Sequence, residues 1–239
     1  MLLGADRVWF LSGREGASPA ARAALQQAAA GLGGVAQDAW ETECVIQRLG
    51  GDAKGNGLAR GVGASSASER ISRPEGDAAK ELCIVSMSTP QEKDSVFCVL
   101  RDKGLVLQGA TSLPPLLSKY GAYKTRATVQ ISGQTHSAGD LQLAVGRAMV
   151  RPGERVVGLV LQARYLPLAA EANPGAEADA RAVLEDLARV LEDAIPGALE
   201  LKTPAELSTP CTAAEGWSRS LSLAWQHAAL AKALLASNA

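Results

Sequence analysis

Three consecutive segments in the second half of the chain have the alternating pattern of β-strands with one exposed face. In 123–132, odd-numbered residues such as Tyr123, Val129 and Ile131 are less polar, and the even-numbered residues, which begin with Lys124 and end with Ser132, are polar. Segments 139–150 and 155–166 follow, with a Pro-Gly turn between them. A period of two residues places alternate side chains on opposite faces of a sheet. Strands that come in runs, without helices between them, favour an antiparallel sheet in an α+β fold over a Rossmann-like fold.

Other patterns predict five further strands and four helices. The first helix has clear boundaries, because Ser18 is a good N-cap, Pro19 suits the first turn, and Gly31 ends the run. About eight antiparallel strands are enough to curl a sheet and reduce its exposed edges. We therefore expect a curved antiparallel sheet that closes toward a barrel and is flanked by four helices. The further strands are 6–12, 35–48, 81–88, 95–101 and 104–108, and the helices are 18–30, 111–120, 177–195 and 217–236.

Residues 50–79 interrupt this pattern. The segment contains seven glycines and eight charged residues but only three of Val, Ile or Leu and no aromatic residue. Such a composition buries too little apolar surface to offset the entropy lost on ordering. It also lacks the Lys-Ser/Thr of a phosphate-binding loop. The sequence predicts a single domain over 1–239 with a disordered insertion at about 50–79.

Composition excludes several classes of protein. The 24 basic residues nearly balance the 25 acidic ones and aromatic residues make up only 4%, so nothing favours specific nucleic-acid binding. No run of about 20 apolar residues spans a membrane, and the first residues do not resemble a secretory signal. Four scattered cysteines indicate buried free thiols in the cytoplasm or nucleus, and they are Cys44, Cys83, Cys98 and Cys211.

Residues that carry chemistry are few. His136 is predicted to lie in a turn at 133–137, and His227 lies on an apolar helix beside Trp225. Neither has the neighbouring partner that a catalytic histidine needs. Glu41 and Glu43 share a strand face, where solubilising charge is the simpler interpretation. We therefore expect no catalytic, cofactor-binding or metal-binding residue.

Two surfaces could contact a partner. Lys119, Lys124 and Arg126 are cationic, but three cations are few for a nucleic-acid interface, so a polar sheet face or an acidic protein partner fits better. Apolar side chains on the last helix could pack in the core or anchor a partner, because Trp is enriched at interfaces. The candidate interface residues are Trp217, Leu221 and Trp225.

A second hypothesis belongs to a different class of function. A barrel of eight strands can hold one small ligand, so the chain could be a small-molecule-binding or hydrolytic enzyme with its pocket inside the barrel. Such a pocket needs convergent polar groups among apolar walls. Arg147 shares a predicted strand face with Leu141, Leu143 and Val145, and its role stays open.

Residues 96–167 resemble one known family, Mediator complex subunit 20. The similarity includes the run 96–100 with the Lys103-Gly104 turn, the strand 140–148 with Asp140 and Val145-Gly146, and a strand that ends at Tyr165 with Pro167 nearby. Leu141 replaces the family's usual aromatic residue, and the insertion at 50–79 is unusually long. The N-terminal elements and the Trp-bearing final helix also fit the family.

This resemblance implies a non-enzymatic subunit of the Mediator head module in the nucleus. It implies a direct heterodimer with Mediator subunit 18, which has a related barrel fold, and a tether through the C-terminal part of Mediator subunit 8. RNA polymerase II would be an indirect partner through the rest of the head module, and the role would be in transcription regulation as a coactivator. No cofactor and no membrane contact are implied.

Overall fold

A computed structural model describes residues 5–49, 81–88, 92–120, 123–166, 176–195, 200–204 and 218–238. The predicted disordered insertion at 50–79 lies outside these residues, as do Trp217 and Cys211. The strands are β1 (Ala5–Ser12), β2 (Val35–Leu49), β3 (Glu81–Met87), β4 (Ser95–Leu100), β5 (Leu105–Ala110), β6 (Tyr123–Ala138), β7 (Leu141–Arg151) and β8 (Arg155–Tyr165). The helices are α1 (Gly13–Gly16), α2 (Pro19–Gly31), α3 (Leu113–Tyr120), α4 (Ala176–Ala194) and α5 (Arg219–Ala236).

All eight strands form one antiparallel sheet in the order β1-β8-β7-β6-β2-β3-β4-β5. The predicted α+β class, the strand number and the four flanking helices are confirmed, and the four-residue α1 is an addition. Among the described residues the sheet is open, with β1 and β5 as its two edges. The sheet was expected to close toward a barrel, but its two edge strands do not pair with each other among the described residues.

Helices cover both faces of the sheet. The larger apolar cluster joins strand residues such as Phe10 and Phe97 to α5. On the opposite face, α2 and α4 pack over the β1 end through residues such as Leu25 and Leu184, while α3 packs over β3 and β4. Because helices cover both faces of the sheet, strands beneath them carry apolar residues at successive positions, and their sequences are continuous hydrophobic runs. None of the helices that the structure describes combines the length and apolarity needed to cross a membrane.

Strand β6 corrects the prediction of a turn at 133–137. The strand continues to Ala138, and Gly133 pairs with Gly146 of β7. A Cβ atom on Gly133 would lie 2.0 Å from the carbonyl oxygen of Val145, so the glycine permits a close backbone approach instead of a turn. His136 consequently lies inside a strand, opposite Leu143, and is buried.

Local signals placed several boundaries correctly. The Ser18 hydroxyl accepts a hydrogen bond from the Ala21 amide at 3.2 Å and caps α2. The tight turn between β4 and β5 ends at Gly104 in the left-handed conformation, with φ of 61°. Both features depend on short-range sterics, which glycine and capping residues determine locally.

Candidate functional site

Helix α5 occupies the sheet face that the ligand-pocket hypothesis required. Nine of its residues are buried, and the cluster around them includes apolar side chains from all eight strands. Several of the buried residues are alanines, which allow the helix to approach the sheet closely. Gly158 of β8 contributes as well, because a Cβ atom there would lie 3.0 Å from Leu234 of α5. This face is packed with helix side chains, at the place where the ligand-pocket hypothesis expects polar groups around a cavity.

A buried ionic cluster holds the start of α5 against β1. The Asp6 carboxylate accepts hydrogen bonds from Arg164 Nε at 3.0 Å and from Arg219 Nη2 at 3.0 Å, and it also accepts one from Arg219 Nε. Gln226 donates to the Asp6 carbonyl at 3.3 Å. Only 6% of the Asp6 side chain is exposed, so this carboxylate needs both arginines to offset its desolvation. The sequence analysis did not identify this cluster, because its members are far apart in the chain.

His227 is buried in the same interface between α5 and the sheet. Its Nδ1 lies 3.0 Å from the carbonyl oxygen of Leu223, and its ring packs on Trp40 with centroids 6.2 Å apart. Burial lowers the pKa of His227 to about 4, although the Leu223 carbonyl and Asp6 act in the opposite direction. The imidazole is therefore neutral near pH 7 and serves as a packing group.

The described cysteines are buried and free. Cys44 and Cys83 face α5 on neighbouring strands, and the hydrogen bond with Cys83, followed by burial, raises the pKa of the Cys44 thiol well above its ordinary value. Burial raises the pKa of Cys98 on the opposite face. Thiols held in the protonated form are weak nucleophiles. The expectation of buried free thiols is confirmed for these three residues.

The structure describes two of the three predicted partner residues near the last helix. Leu221 and Trp225 are half-buried and pack against the cluster beneath α5, while Trp217 lies outside the described residues. Their role at an interface stays a prediction.

The other candidate residues lie on α3, β6 and β2. Lys119, Lys124 and Arg126 are exposed on α3 and β6. Glu41 is exposed on β2, and Glu43 beside it is half-buried. In the part of the chain that the structure describes, no three His, Cys, Asp or Glu residues are grouped as metal ligands.

Arg147 is exposed on β7, directly opposite Ser132 of β6. It lines an open cleft of about 330 Å³ between the sheet and α2, together with Arg22. Arg147, which shares a strand face with Leu141, Leu143 and Val145, thus lies exposed beside α2.

Strand β5 carries two exposed leucines, Leu105 and Leu107. Leu105 is 41% exposed and Leu107 is 49% exposed, while Val106 between them is buried against the α5 side. Helix α3, which follows β5, exposes Leu116 and Tyr120. Sequence analysis recognised the strand but not its edge position, because edge position depends on the strand order.

Comparison with known proteins gives a similarity in sequence. The chain is 27% identical over 84 residues to Mediator of RNA polymerase II transcription subunit 20b from Arabidopsis thaliana. The match includes 35% of this chain and 38% of the relative, so the chain spans well under half of that protein's length. No family model matches the chain. The resemblance to Mediator subunit 20 found in the sequence is therefore confirmed by an independent similarity.

Several solved structures align with this chain at low similarity. A chain of the Schizosaccharomyces pombe Mediator head module aligns over 80% of this chain and 94% of its own, with 11% identity and a TM-score of 0.39. A Pyrococcus horikoshii protein aligns over the same shares with 12% identity and a TM-score of 0.40. A Vibrio parahaemolyticus protein described as a putative adenylate cyclase aligns over 80% of this chain and 88% of its own, with 7% identity and a TM-score of 0.40. At these TM-scores the similarities support no conclusion about activity.

Proposed function

We propose that this chain is a non-enzymatic structural subunit of the Mediator coactivator, resident in the head module and acting in RNA polymerase II transcription in the nucleus. The observation that carries the proposal is the 27% identity to a Mediator subunit 20 protein over 84 residues. Its direct partner would be Mediator subunit 18, with a tether through the C-terminal part of subunit 8. Contact with RNA polymerase II would be indirect.

The chemistry of the described residues supports a scaffold role. His227 is held neutral in the core. The hydrogen bond with Cys83, followed by burial, raises the pKa of Cys44, and burial raises the pKa of Cys98. These groups would need an accessible, ionisable state to act as a base or a nucleophile. The sheet face that could have formed a pocket is filled by α5. A scaffold subunit requires a stable core and a complementary surface, and this architecture supplies a core on both faces of the sheet.

A stable subunit interface would bury more than about 2,000 Å² and be rich in apolar contacts. We place Trp217, Leu221 and Trp225 near this interface, as the sequence suggested. The exposed apolar side chains of β5 and α3 offer additional surface, with Tyr120 81% exposed.

Affinity purification of the tagged native protein, followed by mass spectrometry, tests the assignment. We expect head-module subunits, including subunit 18, to co-purify in stoichiometric amounts. Co-expression with subunit 18 and size-exclusion chromatography at micromolar concentration test the pair directly. Elution of this chain as a 24.7 kDa monomer, with subunit 18 in separate fractions, would contradict the proposed pairing.

A further inference from the structure

The two edges of the sheet are protected very differently. At the β1 edge, Phe10 exchanges two backbone hydrogen bonds of 2.9 Å with Lys202. Arg7 of the same strand pairs with Glu185 of α4 at 3.8 Å, and Asp6 is bound by two arginines. The chain itself thus covers this edge with backbone and charged groups, which are two of the ways in which proteins prevent edge-to-edge pairing.

The β5 edge has none of these protections among the described residues. Its six residues pair with β4 from Leu105↔Leu100 to Ala110↔Ser95, and no described backbone group bonds to the other side of the strand. The sequence Leu-Val-Leu-Gln-Gly-Ala has no charge and no proline. An unpaired strand of this kind presents a row of N–H and C=O groups about 20 Å long.

The geometry specifies what can occupy this edge. Alternating donors and acceptors at strand spacing are satisfied together by another extended backbone, in the manner of strand addition. Leu105 and Leu107 lie on the same side of the strand, since side chains two residues apart share a face. A partner strand with apolar side chains at alternate positions would cover both leucines while its backbone satisfies the edge.

We propose that the free edge of β5 binds a β-strand of a partner subunit and extends the sheet to a ninth strand. The identity of the partner as a Mediator subunit rests on the function proposed above. The strand-addition mode rests on the edge itself, on the exposed leucines and on the contrast with the covered β1 edge.

The test uses the full chain and purified subunit 18, with the dissociation constant measured by interferometry. The variant L105K/L107K places charges at two exposed positions of the edge, so the fold is retained, which circular dichroism checks. The matched control is V190K, because Val190 is 53% exposed on α4 at the other end of the sheet. We expect at least a roughly tenfold weaker complex for the edge variant and less than about a twofold change for the control, since charges block edge pairing.

Hydrogen exchange gives a readout of the backbone. Outward-facing amides in 105–110 should exchange quickly in the isolated chain and become protected in the complex.

Binding by L105K/L107K at the wild-type level would overturn the edge proposal and leave the proposed function intact, whereas failure of the wild type to bind would overturn the proposed function. Protection of these amides in the isolated monomer would show that the chain covers its own edge. A wild-type homodimer that the variant abolishes would assign the edge to a second copy. Either of these last results would also refute the proposal.

Discussion

Acidification should destabilise this protein through His227, the buried histidine beneath α5. The ring is buried and hydrogen-bonded once, to Leu223, and burial lowers its pKa from 6.5 to about 4. The unfolded chain therefore binds a proton at a higher pH than the folded protein does. The stability that depends on a neutral His227 is complete above about pH 6.5 and is lost as the pH falls toward 4.

The magnitude follows from the difference between the two pKa values. A difference of about 2.5 units corresponds to about 3 kcal/mol once the pH has fallen below both values. At pH 5 the linkage relation gives a loss of about 2 kcal/mol relative to pH 7.5. Below pH 4 this histidine contributes little additional loss.

Urea unfolding at pH 7.5, 6.5, 5.5 and 5.0 measures the effect, with H227L as the comparison. Leucine has a similar volume and suits the apolar surroundings, and it removes the titrating group. The free energy of unfolding of the wild type should fall between pH 7.5 and 5.0 by about 2 kcal/mol more than that of H227L. H136Q, which alters the only other histidine, is measured alongside the wild type and H227L. Equal pH dependence of wild type and H227L would refute the reasoning.

Two further substitutions test the packing of the sheet. Asp6→Ala leaves Arg164 buried without its carboxylate and should lower the free energy of unfolding by about 3 kcal/mol, whereas Asp186→Ala breaks an exposed ion pair and should cost less than about 1 kcal/mol. Similar losses for both variants would contradict the importance of the buried cluster. Gly133→Ala places a methyl group 2.0 Å from the Val145 carbonyl and should lower the melting temperature by several degrees or separate β6 from β7, whereas Gly31→Ala meets no atom within 4 Å and should be nearly neutral. An unchanged melting temperature for Gly133→Ala would show that the close approach is not required.

The sequence alone determined the elements of the fold to a large extent. The alternation from Tyr123 onward, the cap at Ser18 and the turn at Lys103-Gly104 were predicted correctly, because each depends on the sterics of a few neighbouring residues. The number of strands and the α+β class followed from these local patterns. The resemblance to Mediator subunit 20 was also visible in the sequence, in short structural motifs.

The tertiary structure decided what each residue does. Asp6 meets Arg164 and Arg219 across 158 and 213 residues of chain, and no local pattern reports such a contact. The sequence around Gly133 predicts a turn, and only the close approach of β7 explains why a glycine is needed there. The position of β5 at the edge of the sheet follows from the strand order, which the sequence does not report. The pKa of His227 depends on the sheet that buries it. Local sterics determine secondary structure, whereas burial, charge pairing and exposed edges arise from long-range packing, so the chemistry of this protein was decided by the assembled fold.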